Sequence, residues 1–169
     1  EIQIKLMLET MKSFPRKTLV IKPRFHDLQI GVYQKLIHTA GVTNAVIAHE
    51  PIVSLLNKCD LFFCIFSTAA LEWMILDKPG IQFLFVFNGK KALMEKTGTI
   101  PMPFTRYGAL LGIEQADAEA LKKCIQSIYH SGETRRNLDE GRIKFLRDYA
   151  NLEAGEPTEN FIKALEKCV

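Results

Sequence analysis

Residues 59–80 read Cys-Asp-Leu-Phe-Phe-Cys-Ile-Phe-Ser-Thr-Ala-Ala-Leu-Glu-Trp-Met-Ile-Leu-Asp-Lys-Pro-Gly. An apolar strand runs to Phe66, and Ser67 is placed to cap the helix that follows. The expected first turn holds Thr68, Ala69 and Ala70 and no carboxylate, so nothing neutralises its outward N–H groups. Such a helix start, at the carboxyl end of a buried strand, attracts anions, and small side chains let a phosphate reach the backbone. Glu72 lies four residues after Thr68 and shares its face. One turn beyond a phosphate, a carboxylate can accept hydrogen bonds from ribose hydroxyls. Leu71, Met74 and Ile75 form a different face, expected to pack on the sheet. Ser and Thr ahead of an apolar helix are equally ordinary caps, and Glu72 is equally a surface acid. The residues by themselves leave both readings open.

Other chemistries find less support. His49-Glu50 is followed by Pro51-Ile-Val-Ser, with no second His at zinc-peptidase spacing and a helix breaker in the way. The four His and four Cys show no metal-ligand clustering. His38 and His130 read as helix-surface or cap residues. There is no phosphate loop of the GxxxxGK[ST] type, no GxGxxG, and no Gly-x-Ser-x-Gly elbow. Arg135, Arg136, Arg142, Lys144 and Arg147 make one late helix basic. Interleaved Glu133, Asp139, Glu140 and Asp148 make that helix a solvated, salt-bridged face.

The elements that must position the Ser67–Glu72 segment belong to a single domain over residues 1–169. Hydrophobic residues at 47% and charged residues at 24% describe a globular chain with a real core. A net charge of +3 with an isoelectric point near 8.7 falls short of a nucleic-acid footprint. No apolar run approaches the roughly 18 residues that span a bilayer. Few, irregularly spaced cysteines read as reduced thiols of a cytoplasmic protein.

Short β-branched or aromatic runs alternate with helical stretches, the signature of an α/β fold with a parallel sheet. Strands are expected at Leu19–Lys22, Ala45–Ala48, Leu61–Phe66, Ile81–Phe87 and Ala109–Ile113, apolar throughout as if buried on both faces. Helices are expected at Leu28–Ala40, Ile52–Lys58, Thr68–Leu76 and Ala116–His130, with a helical tail over Arg135–Ala150 and Thr158–Cys168. Residues 1–8 alternate with period two, yet too few residues separate Leu8 from Thr18 for a parallel crossover, so that segment reads as a helix ended by Pro15. Asn88–Tyr107 is the one long irregular stretch, and such loops are disproportionately functional.

The succession Leu-Val-Ile-Lys-Pro (19–23), Ala-Val-Ile-Ala (45–48), Leu-Leu-Asn-Lys-Cys-Asp (55–60), Ser-Thr-Ala-Ala-Leu-Glu (67–72) and Asp-Lys-Pro-Gly-Ile (77–81) resembles the C-terminal half of a GT-B glycosyltransferase. It is most similar to the surface-polysaccharide group that includes capsule enzymes and CDP-glycerol glycerophosphotransferases, an architecture shared with UDP-N-acetylglucosamine 2-epimerase. Phe145-Leu-Arg-Asp-Tyr149, Gly155-Glu-Pro-Thr158 and an amphipathic end helix add to the likeness.

The resemblance implies a Rossmann-like sheet that binds a nucleotide-activated sugar or polyol donor, UDP-, CMP- or CDP-linked, without a metal or other cofactor. It implies that Ser67 and Thr68 hold the diphosphate and Glu72 the ribose, with the base against the loop at Ala48-His49-Glu50-Pro51. Where relatives carry Lys-Pro-His-Pro, this chain has Lys22-Pro23-Arg24-Phe25-His26, so Arg24 takes over the charge and His26 is displaced. A separate N-terminal acceptor half would supply the catalytic base, and lipid-linked acceptors would bring the enzyme to a membrane surface. The resemblance and the bare start at Glu1 give the expectation of one piece of a two-domain enzyme. A nucleotide-sugar epimerase half and a non-catalytic ligand- or partner-binding module are the competing expectations.

Overall fold

The computed structural model describes residues 1–23, 30–65, 67–85 and 104–150. The elements run α1 (Ile2–Met11), β1 (Leu19–Ile21), α2 (Ile30–Ala40), β2 (Ala45–Ile47), α3 (Ile52–Lys58), β3 (Phe62–Cys64) and α4 (Ala69–Ile75). They continue with β4 (Gly80–Phe83), β5 (Leu111–Ile113), α5 (Ala118–His130) and α6 (Gly132–Ala150). Residues 2–8 are helical as expected, with Glu1 at the N-cap position, and α1 stops at Met11, ahead of Pro15. Helix α5 starts two residues later than expected because the Asp117 carboxylate accepts from the Glu119 N–H (2.9 Å) and caps it there.

Every strand pairing is parallel. β1 pairs with β2 in the register Leu19↔Ala45, and β4 lies between β3 and β5 in the registers Phe62↔Gly80 and Ile81↔Leu111. The strands form two groups, β1-β2 and β3-β4-β5. They are shorter than their apolar runs: Leu61, Ile65, Ala109 and Leu110 pack as loop residues beyond the ladders. β4 is buried along its whole length, as a central parallel strand should be. β2 is an edge strand whose Val46 is 46% exposed, so burial on both faces does not hold for every strand.

Both groups share one core, with Leu8, Leu19 and Ile21 packed against Ile81, Phe83, Ile113, Leu121 and Ile128. A second cluster joins Ala70 and Met74 of α4 to Phe104, Leu110 and Phe145, with Phe104 and Phe145 edge to face at 5.1 Å. Asn44 ties the turn between α1 and β1. Its Nδ2 donates to the carbonyl oxygens of Phe14 (2.9 Å) and Lys17 (2.8 Å), with a longer contact to that of Met11 (3.4 Å). Met11 is the last residue of α1 and Phe14 and Lys17 lie past its end, where intrahelical donors are missing.

Arg142 departs from the solvated face expected of its helix. It is largely buried, pairs with Asp77 and donates to the Met74 carbonyl (3.3 Å), holding the end of α4 against α6. Asp77 itself takes a left-handed φ of 58°, a conformation Asp tolerates better than most residues. The expected end helix 158–168 and residues 86–103 of the long irregular stretch lie outside the described residues.

Candidate functional site

A cleft of about 640 Å³ opens between β1 and β3. Thr18 to Lys22 form one wall, Leu61 to Ile65 the other, and Ser67, Ala69 and Trp73 line it as well. The chain runs from β1 outward to β2, and from β3 outward through β4 to β5. Strand order therefore reverses across this cleft, and in open parallel sheets ligands bind outside the carboxyl ends of the strands at such a reversal. Lys22 and Ser67 each lie just past the carboxyl end of one wall strand, and both line the cleft.

The local geometry at Ser67 follows from its sequence. Its Oγ accepts from the Ala69 N–H (3.2 Å), while the N-cap position itself falls on Thr68, one residue later than expected. Thr68 already has helical backbone angles and makes no side-chain cap. The next two amides are also engaged: Ala70 N–H donates to the Ser67 carbonyl (3.2 Å) and Leu71 N–H to that of Thr68 (2.9 Å). The first turn is thus satisfied internally, and an anion there would compete with these bonds.

Because α4 begins at Ala69, Glu72 falls within its first turn, which therefore does carry a carboxylate, contrary to the expected bare start. Thr68 and Glu72 are both exposed on the same side of the helix. The packing face is Ala70, Trp73 and Met74, all fully buried, with Leu71 half-buried. Ile75, expected inside, is 41% exposed.

The remaining expected positions divide. Lys22 is half-buried at the cleft. His49 and Glu50 are exposed in the loop after β2, where Glu50 pairs with Lys58 at 3.6 Å, and neither lines the cleft. Arg24 and His26 lie outside the described residues.

Two further side chains shape the site. Gln82, on the central strand, is 2% exposed, and its Nε2 donates to the Ile65 carbonyl (2.9 Å) just ahead of Ser67. Its Oε1 has no donor among the described residues. The signal in the sequence was a lone amide within the apolar run 81–87. Lys78 lies over the Trp73 ring at 5.0 Å and donates to the carbonyls of Leu56 (2.7 Å), Asn57 (3.0 Å) and Cys59 (2.8 Å). It thereby caps α3 behind the cleft, where a cation also suits the helix dipole.

The thiols near the cleft are not activated. Burial pushes Cys64 up to about 12, and Cys59 is raised mainly by desolvation, so both stay protonated near neutral pH. Among the described residues no three His, Cys, Asp or Glu side chains come together in a way that could hold a metal ion, and no helix is long and apolar enough to cross a membrane.

Neither a family model nor a curated protein matches the chain. Among solved structures it is similar to the C-terminal domain of a glycosyl transferase group 1 family protein (LpcC) from Francisella tularensis. The two share 16% identity with a TM-score of 0.59, over 88% of this chain and 77% of that one. At this identity the likeness shows the fold: an α/β domain with parallel strands flanked by helices, built like the C-terminal domain of that glycosyltransferase.

Proposed function

We propose that this chain is the donor-nucleotide-binding domain of a glycosyltransferase, or of a polyol-phosphate transferase, acting in surface polysaccharide biosynthesis. The observation that supports this most is the cleft at the reversal of strand order, with Lys22 and Ser67 together at its carboxyl rim. The likeness to a glycosyltransferase C-terminal domain supports it at the level of fold.

In this reading the diphosphate of a UDP-, CMP- or CDP-linked donor lies at that rim. Lys22 supplies positive charge, with Arg24 beside it in sequence, and the hydroxyls of Ser67 and Thr68 donate to phosphate oxygens. As the bond to the sugar or polyol breaks, negative charge grows on the leaving nucleotide, and fixed donors in a partly dry cleft stabilise that charge. Glu72, one turn along the exposed face from Thr68, takes the ribose hydroxyls. His49 and Glu50 stand beside the base, and His26 extends the Lys22 segment. An N-terminal acceptor half brings the base catalyst and the acceptor, at the cytoplasmic side of a membrane surface.

The test is calorimetric titration with UDP, CMP, CDP, GDP and ADP of the chain and of Lys22→Ala, Ser67→Ala and Glu72→Ala. One nucleotide should bind in the micromolar to low-millimolar range. Each substitution should weaken it roughly fivefold to tenfold, the loss expected for one charge-assisted hydrogen bond. Binding by none of the five, or binding indifferent to all three substitutions, would favour a non-catalytic module instead.

A further inference from the structure

We propose that Arg142 is a positioning residue for Glu72. It fixes the rotation of α4, and with it a preference for ribonucleotides over 2′-deoxyribonucleotides. The inference rests on the reading that Glu72 takes the ribose hydroxyls, and it adds what holds that carboxylate in place. Helix α4 buries Ala70, Trp73 and Met74, while Thr68 and Glu72 stay exposed. Apolar packing selects the buried face but sets no sharp angle, because the hydrophobic effect is non-directional. Side-chain tips lie about 5–6 Å from a helix axis, so a rotation of about 20° carries the Glu72 carboxylate about 2 Å. That displacement breaks a hydrogen bond to a ribose hydroxyl.

The angle is set from α6. Arg142 Nη1 donates to the Met74 carbonyl (3.3 Å), and its Nη2 pairs with Asp77, the residue after the Leu76 C-cap. Among the described residues, Arg142 supplies the only hydrogen bond between α4 and another element. The remaining bonds at this end belong to the segment itself. Trp73 Nε1–H donates to the Pro79 carbonyl (2.8 Å) and Asp77 N–H to that of Met74 (3.1 Å), so both turn with the helix. Arg142, by contrast, stands on a fixed base. Its neighbour Gly141 lies against the backbone of Tyr107 and Gly108 with no room for a Cβ. One turn on, Phe145 packs edge to face on Phe104 (5.1 Å) and Tyr107 (5.6 Å). Helix α6 is therefore held where it is and does not roll to follow α4.

Stability alone does not account for this pair. The Arg142 side chain is 15% exposed, and its buried Nε has no acceptor among the described residues. A partly satisfied buried guanidinium stabilises less than an apolar side chain of similar size. Asp77 holds its left-handed φ of 58° where Gly has no steric cost. Two locally unfavourable residues thus meet in one ion pair at the end of α4. Directional fixing of that helix is what the pair supplies and an apolar contact does not.

The experiment combines Asp77→Gly with Arg142→Met, which removes the backbone strain and the buried charge together. The thermal midpoint should stay within about 4 °C of the parent. UDP, CMP, CDP, GDP and ADP are titrated calorimetrically beside their 2′-deoxy forms. For the nucleotide that binds, the parent should prefer the ribo form about fivefold to tenfold, the worth of one charge-assisted hydrogen bond. In the double variant that preference should fall to about twofold or less, while the 2′-deoxy form keeps its affinity within about twofold. A merely structural role would weaken both forms alike, and that result overturns the proposal. Asp77→Asn, which tolerates the left-handed backbone and still accepts from Arg142, should keep the preference. In a Glu72→Ala background the double substitution should change the ratio no further. A ribo preference that survives the double substitution overturns the proposal and leaves the donor-binding reading standing. A parent that binds none of the nucleotides, or does not distinguish the two forms, overturns that reading and this inference with it. If the double variant does not fold, Arg142→Lys decides. One ammonium does not reproduce both guanidinium bonds, so the preference should fall about threefold, and an unchanged preference overturns the proposal.

Discussion

Gln82 Nε2 donates to the Ile65 carbonyl at 2.9 Å, so the central strand holds the backbone two residues ahead of Ser67. The amide is costly to bury, because its Oε1 has no donor among the described residues. Gln82→Leu removes that orphaned acceptor but also strips Ile65 of its donor. The two effects are each worth about 1–3 kcal/mol and oppose one another, so net stability should shift by about 1 kcal/mol or less. Anchoring of the loop has no such compensation. Affinity for whichever nucleotide binds should fall several-fold in calorimetric titration while the urea midpoint barely moves. Unchanged affinity would show that Gln82 is only a packing residue.

Much of the fold was legible in local pattern. Helix α3 occupies the expected Ile52–Lys58, and α1 is helical despite its period-two alternation, too few residues separating it from β1 for a parallel crossover between strands. What was less legible depends on contacts distant in sequence. Strand ends were overrun because apolar residues such as Ile65 pack without pairing, and hydropathy does not separate the two cases. Arg142 reads as a surface charge until α6 is laid beside α4, where it finds Asp77 and the Met74 carbonyl. At the site, the pattern marked Ser67 as a cap. It did not show that the cap and the first turn would use their own amides, because a shift of the helix start by one residue decides that. His49 and Glu50 follow the correct strand, yet the loop presents them to solvent beside Lys58.

Gly141 marks where α6 crosses the turn at Tyr107 and Gly108. A Cβ there would run into the Tyr107 carbonyl oxygen and the Gly108 carbonyl carbon, both backbone atoms that cannot rotate away. In an open helix Gly→Ala would be favourable by about 1 kcal/mol. Here overpacking should reverse the sign, and Gly141→Ala should destabilise by about 2–4 kcal/mol in urea unfolding. Gly132→Ala is the internal control. Nothing lies within 4 Å of its Cβ position, and that substitution should be neutral or stabilising by a few tenths of a kcal/mol. Equal effects at the two positions would mean that α6 does not approach the turn this closely.

Cys64 gives a pH dependence whose sign is fixed by its burial on β3. Desolvation raises the thiol from about 9 to about 12, so between those values the unfolded chain ionises while the folded chain does not. A folded-state pKa above the unfolded one contributes stability that is whole below about pH 9. That contribution falls as pH rises, at a limiting slope on the order of 1 kcal/mol per pH unit, until it is lost near pH 12. Cys64→Ala removes this dependence and leaves a small cavity, costing about 1–2 kcal/mol at neutral pH. Lysines and tyrosines titrate in the same range, as do Cys59 and Cys124, but they are present in both proteins and cancel in the comparison. The stability gap between the parent and Cys64→Ala should therefore be constant from pH 7 to about 8.5 and narrow steadily above about 9. A gap that stays constant to about pH 10.5, measured by urea unfolding under reducing conditions, would mean that water reaches the thiol and that β3 is more open than its packing against Ala70 and Met74 indicates.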